Sequence, residues 1–279
     1  MVTAQGAQAP AAQPQGPSAF ERVEEDARYL EVDCPAGELA RIAQGRGWGD
    51  AELEAIADLF STLRESKRET TVNTLLKLSR LPLEKPKTFD NYDFCRLRGK
   101  DVEALRRLPS LSHFHAGSNI AFIGPSGVGK THLAKAYGRE CCLRGYKAYI
   151  LTGSELKTKL KAAIANGTED KAVSSISKPS CLIIDEVGRC KFDKRQTNLF
   201  FDIVDHRYEK RTPMTTIFTS NYGPDKWGEF FDGDSTLLCA LDRIFDHAAV
   251  FMMRGTSYRG AQLEKFAVEA VPAKQENKK

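Results

Sequence analysis

Lys130, Thr131, Asp185 and Glu186 are of the types, and in the order, that phosphoryl transfer needs. The first two close the stretch Gly124-Pro125-Ser126-Gly127-Val128-Gly129-Lys130-Thr131, which matches G-x-x-x-x-G-K-[ST]. Its glycines let backbone N–H groups turn inward around a polyphosphate, and a helix starting there adds its positive end. Lys130 would reach the β- and γ-phosphates of ATP, and the Thr131 hydroxyl would share a Mg2+ with them. His132 follows directly and belongs to the same binding stretch. Downstream, Cys181-Leu182-Ile183-Ile184-Asp185-Glu186 is an apolar run that ends in two acids. Asp185 would hold the Mg2+ through water, and Glu186 would orient and polarise the attacking water. Alone, the pair reads equally as an exposed acidic turn. With the phosphate loop upstream it points to a hydrolase rather than a small-molecule kinase, which puts a substrate hydroxyl where the water stands.

Three further residues fall where such a site is completed. Asn221 ends the run Thr215–Ser220 and could touch the γ-phosphate or the lytic water, or cap the turn there. Arg243 and Arg259 follow the core, and a guanidinium suits contact with a γ-phosphate because it is always charged and donates in a planar fork. One could serve a neighbouring subunit and one its own. Residue chemistry alone does not assign them.

Five short apolar runs must position these groups: Asn119–Ile123, Lys147–Leu151, Cys181–Ile184, Thr215–Thr219 and Ala249–Met253. Helical sequence separates them, which predicts an α/β domain with a parallel sheet covered by helices on both faces. A helix from about Lys100 to Leu108 leads in, after the aromatic linker Thr88-Phe89-Asp90-Asn91-Tyr92-Asp93-Phe94. Ser174–Ser180 reads as a polar connection without chemistry. Before the linker, three short helices are expected, around Glu38–Ile42, from Asp50, and over Thr70–Ser79, closed by Pro82 and Pro86.

At 279 residues and 41% hydrophobic content the chain can bury a real core. No apolar run approaches the roughly 20 residues of a membrane span. The Ala/Gln/Pro-rich start lacks the charge and apolar core of a secretory signal, so a disordered tail and a cytoplasmic protein are expected. The seven cysteines form no C-x-x-C pair, and His113 and His115 have no evident third ligand. From Glu21 to Phe60 acids outnumber bases, and from Ser61 to Lys100 the balance reverses. Such asymmetry suggests a partner contact beside a polyanion contact, or two differently solvated surfaces.

Between Arg80 and Arg259 the chain resembles the IstB/DnaC branch of the AAA+ ATPases. The likeness rests on Leu81-Pro82, Lys87–Phe94, Gly124–Ala134, Leu182–Glu186, Arg207-Tyr208-Glu209, Thr219-Ser220-Asn221, Trp227 with Phe231-Asp232, Ala240–Arg243 and Gly255–Arg259. It implies an AAA+ (ASCE P-loop) five-stranded sheet of order 5-1-4-3-2, preceded by a small α-helical N-terminal domain. It also implies an ATP site completed by an adjacent subunit, with Arg243 as the trans-acting arginine and Arg259 as a second sensor. The expected partition is a tail over 1–20, a helical interaction domain over 21–85, the ATPase domain over 86–270 and a tail over 271–279.

Members of that branch act either as transposition helpers, which gather on duplex DNA, deform it and bring an integrase-type transposase, or as loaders of the replicative helicase. The linker and the Trp227–Arg243 block look closer to the helpers. ATP, Mg2+, double-stranded DNA, transposase and a homo-oligomeric assembly are therefore the expected partners, with no membrane. Two basic sets could follow DNA phosphates without reading sequence: Lys157, Lys159 and Lys161, and Arg189, Lys191, Lys194 and Arg195. A non-hydrolysing nucleotide switch is the alternative of another class, and the full set of Lys130, Thr131, Asp185 and Glu186 disfavours it.

Overall fold

The computed structural model describes residues 17–99, 101–210, 213–232 and 235–255. The chain divides into two compact units, residues 1–74 and 75–279.

The first unit is helical. Helix α1 (Ala19–Leu30) opens on a capping box in which Ser18 and Glu21 satisfy each other's backbone N–H. That S-x-x-E signal marks a helix that the hydrophobic pattern alone did not draw. Helix α2 (Ala36–Arg46) ends at Gly47, whose left-handed φ of 68° terminates it. Helix α3 (Asp50–Ser79) is one element of 30 residues, so the two helices expected there are continuous. The apolar period lapses through Arg64-Glu65-Ser66-Lys67-Arg68-Glu69, but these are helix formers and no Gly or Pro interrupts them. Val23, Leu39 and Ala57 form a small core with Phe20, Trp48 and Phe60 around it. Arg64 of α3 pairs with Asp26 at 2.6 Å and Glu25 at 3.1 Å, and Lys67 with Glu31 at 3.5 Å. Part of the acid-to-base asymmetry is thus neutralised inside this unit.

The second unit is a parallel sheet with order β2-β3-β4-β1-β5, the expected 5-1-4-3-2 read from the other edge. Two short helices precede it, α4 (Val102–Arg106) and α5 (Ser112–His115). Then follow β1 (Ile120–Ile123), α6 (Lys130–Leu143), β2 (Ala148–Thr152), α7 (Gly153–Asn166) and α8 (Glu169–Ser177). Strand β3 (Cys181–Val187), α9 (Lys194–Tyr208), β4 (Thr215–Ser220), α10 (Ser235–Phe245) and β5 (Ala249–Met252) complete it. Helix α8 takes up half of the stretch expected to be a plain connection.

Alternation along the strands gives each face its own partner helices. Ala121, Ile123, Leu182, Ile184 and Phe218 pack into one core with Leu156 and Leu160 of α7, Phe200 and Ile203 of α9 and Ile244 of α10. On the opposite face α6 comes so close that a Cβ on Gly138 would lie 2.7 Å from Ile183 Cδ1. Strand β1 is buried throughout, between β4 and β5. Among the described residues no helix is long and apolar enough to cross a membrane.

The start of β3 and β4 is fixed by a buried cation. Arg207 on α9 donates to the carbonyls of Ser177 (3.0 Å), Pro179 (2.6 Å), Ser180 (3.4 Å) and Thr215 (2.6 Å) and to the Thr216 hydroxyl (2.8 Å). A guanidinium has five N–H donors, and this one spends them all, four bonds going to main-chain carbonyls around the two strand starts and one to the Thr216 hydroxyl. Burial lowers its pKa to about 10, so it stays charged at neutral pH. Replacing it by an apolar chain strands several buried acceptors, at about 1–3 kcal/mol each. Arg207→Met should therefore lower unfolding stability in urea by on the order of 3 kcal/mol or more. A loss below about 1 kcal/mol, within the range of an ordinary surface change, would remove this anchor from the account.

Candidate nucleotide site

Four loops converge at the carboxyl ends of the strands, where open α/β sheets bind ligands. They enclose a cleft of about 880 Å³, lined by the phosphate loop, the tip of β3, the end of β4 and the aromatic linker.

The phosphate loop is held at its start by neighbouring strands. Gly124 has a φ of 154° and its N–H donates to Ser220 O at 3.1 Å. A Cβ there would lie 2.1 Å from Met253 O, so only glycine fits beside the end of β5. Helix α6 starts from Gly129 with no side-chain cap, whereas α7 and α9 carry full capping boxes. Its first-turn N–H groups therefore face the cleft without a side chain over them, the arrangement an anion requires. Lys130 Nζ donates to Gly124 O and Pro125 O, both at 2.7 Å, and to Asn221 Oδ1 at 2.8 Å. Lys130 is thus aimed back along the loop, with Asn221 beside it. Ser126, Gly127, Thr131 and His132 line the same cleft, and Val128 is buried behind it.

At the tip of β3 the pairing with β4 is irregular. Ile184 faces Phe218 and Val187 faces Ser220, so Asp185 and Glu186 together oppose Thr219. This is the two-against-one geometry of a β-bulge, which re-aims side chains. Glu186 takes a left-handed φ of 59°, unusual for a residue with a Cβ. The Thr219 hydroxyl stabilises it, accepting from Glu186 N at 2.9 Å while donating to Asp185 Oδ1. Thr131 Oγ1 donates to the same carboxylate oxygen at 2.8 Å. The bulge separates the two acids: Asp185 is buried beside Thr131, while Glu186 lines the cleft and ion-pairs with Arg189.

These donors suit Mg2+ and a triphosphate. Thr131 and Asp185 bring two hard oxygens to one point, and among the described residues no group of three or more His, Cys, Asp or Glu forms a protein cage. Mg2+ takes few protein ligands and completes its shell with water and phosphate oxygens. Lys130 and the uncapped helix supply the positive side.

The other expected residues lie elsewhere. Arg243 on α10 pairs with Asp205 of α9 at 2.5 Å and borders a separate cavity of about 290 Å³ with Tyr208, Lys210 and Asp246. It is absent from the lining of its own nucleotide cleft. Arg259 lies outside the described residues. On α7 the buried stripe Leu156, Leu160 and Ala163 separates Lys157 and Lys161 from Lys159, so the three do not share one face. Arg189 is held by Glu186, and Arg195 by Glu169 at 3.1 Å, while Lys191 and Lys194 are exposed. Thr219 and Tyr92 are site residues that residue chemistry did not single out. Both sat inside motifs, Thr219-Ser220-Asn221 and the aromatic linker, whose roles only the fold reveals.

Residues 43–265 match the profile of a family described as IstB-like ATP binding protein. An ATP-binding protein of insertion sequence IS5376 from Geobacillus stearothermophilus, so named, is 41% identical over 194 residues, 69% of this chain and 75% of that one. A counterpart from insertion sequence IS21 of Pseudomonas aeruginosa is 33% identical over 203 residues, 72% of this chain and 74% of that one. Among solved structures, DnaI superposes with a TM-score of 0.53 at 22% identity, over 66% of this chain and 99% of that one. The last likeness shows the fold alone.

Proposed function

Because the chain belongs to the IstB-like ATP-binding protein family, we propose that it is an ATPase that assembles on duplex DNA and serves transposition. The observation that carries the ATPase reading is the convergence of Lys130, Thr131, Asp185, Glu186 and Asn221 on one cleft. Lys130 and the start of α6 hold the polyphosphate, and Thr131 with Asp185 would hold Mg2+. Bound there, Mg2+ supplies charge neutralisation on the phosphate oxygens. Glu186 would orient and polarise the attacking water, and Asn221, bonded to Lys130, would touch the γ-phosphate or that water.

The transposition reading rests on relatives named for insertion sequences. Exposed Lys191 and Lys194 beside the Glu186 loop favour a phosphate-backbone contact. The first unit exposes Tyr29, Ile42, Leu59 and Leu63, apolar surface suited to a transposase or a second copy of this chain. ATP turnover and sedimentation with 50-base-pair duplex, with single strands and without DNA test this reading. Large ATP-dependent assemblies on duplex, with faster turnover that fades as salt rises, are expected. Preference for single strands without assemblies would make the chain a helicase loader instead. Absence of turnover under every condition would leave a nucleotide switch.

A further inference from the structure

The aromatic linker has no part in the chemistry above, yet it grips the phosphate loop at several points. The ring of Tyr92, itself buried, occupies space that only a glycine leaves open. A Cβ on Gly129 would lie 2.7 Å from Tyr92 Cε2 and 2.9 Å from its hydroxyl oxygen, and Gly129 has a φ of 96°. The Tyr92 hydroxyl donates to Val128 O at 3.4 Å. Because C=O and N–H point oppositely across a trans peptide, drawing that carbonyl toward the ring turns the Gly129 N–H away from it. One ring position over, His132 lies edge-on to Tyr92, with centroids 5.2 Å apart. Its Nε2–H donates to Thr88 O at 2.9 Å; burial lowers the pKa of the ring, and this bond opposes that shift.

The segment that carries Tyr92 is braced by its own side chains. Thr88 N donates to Asn91 Oδ1 at 3.0 Å, Asn91 N to Thr88 Oγ1 at 3.2 Å, and Asn91 Nδ2 to Pro86 O at 2.8 Å. Such reciprocal side-chain-to-backbone bonds fix a turn without help from neighbouring elements. The linker is therefore a stiff strap with two attachments, one at Val128-Gly129 and one at His132.

We propose that Tyr92 is a positioning residue for the phosphate loop, holding the Val128–Gly129 peptide in its polyphosphate-receiving orientation before nucleotide arrives. The inference rests on the ATPase reading above. It predicts that affinity depends on Tyr92 through the phosphates and not through the base. Tyr92 and Asn91 also border the cleft, so base stacking is the rival role.

Inorganic tripolyphosphate separates the two, because it has no base. Binding of ATP and of tripolyphosphate, both with Mg2+, would be measured by displacement of a fluorescent nucleotide from the full chain. Tyr92→Leu should weaken both by the same factor, about three- to tenfold, and raise KM while leaving kcat at saturating ATP largely unchanged. Tyr92→Phe keeps the ring and loses only the hydroxyl, so it should show a smaller loss, again equal for both ligands. If Tyr92→Leu does not fold, Tyr92→Phe and Asn91→Ala, which unbraces the turn, carry the test. Loss of ATP affinity with tripolyphosphate unaffected would assign Tyr92 to the base and overturn the proposal. Unchanged affinity for both would overturn it as well. Wild-type binding of both ligands, abolished by Lys130→Ala, secures the nucleotide site independently of either outcome.

Discussion

Glu186→Gln is expected to bind ATP as the parent chain does and to turn it over about 10²–10⁴-fold more slowly. The separation follows from the bulge at the tip of β3. Lys130, Thr131 and Asp185 bond to one another or to the loop without Glu186, so removing its charge leaves the phosphate cradle intact. The bond that fixes Glu186 in its left-handed conformation is made by its backbone N–H to Thr219, and glutamine keeps it. What is lost is the carboxylate that would polarise the attacking water, and with it the partner of Arg189. Nucleotide titration and phosphate release, measured on one preparation, check both halves. Intact turnover would show that the water is polarised elsewhere, and lost binding would show that Glu186 belongs to the cradle.

Arg243→Ala should leave ATP affinity unchanged and reduce turnover in assemblies by on the order of 10³-fold, the usual worth of an arginine on a transferring phosphoryl group. Arg243 lies outside its own cleft, which favours action on a neighbour. Its bond to Asp205 is no obstacle. Both side chains are well exposed, at 44% and 38%, and such surface pairs are worth about 0–1 kcal/mol. A neighbouring γ-phosphate, with its greater charge, would outcompete that carboxylate. Mixing supplies the decisive measurement. Arg243→Ala protein has an intact cleft, and Lys130→Ala protein has an intact Arg243, so together they should recover turnover that neither shows alone. No recovery in a mixture shown to co-assemble would end the trans role.

How far the sequence led depended on the range of the interaction. The phosphate loop and the Asp185-Glu186 pair were legible because their chemistry is written in consecutive residues. The parallel sheet was legible from alternating apolar runs, and its order from family resemblance. The bulge was not, because it exists only where β3 meets β4: nothing in Cys181–Val187 says that Thr219 stands opposite two residues. Arg207 was part of a motif without a meaning until its guanidinium was seen to meet carbonyls from two strand starts. Helix α3 was broken in two because amphipathic period reports apolar burial, and Arg64–Glu69 is held by the ion pairs of Arg64 and Lys67 rather than by apolar contacts, so it loses period without losing helicity. Arg189 was grouped with DNA contacts on charge alone, and its ion pair with Glu186 makes it part of the site's own electrostatics.

The order of the strands also sets when the site can exist during synthesis. The phosphate loop follows β1, but β1 lies between β4 and β5, the last strands to be made. Gly124 is bonded to Ser220, and Ile123 O accepts from Met253 N at 2.6 Å. On the ribosome the glycine loop therefore emerges long before its walls do, and the nascent chain carries an unfinished nucleotide cradle. Nucleotide cannot guide the early stages of folding from that cradle. It can act only as a final check, binding chains whose fifth strand has already closed against the first.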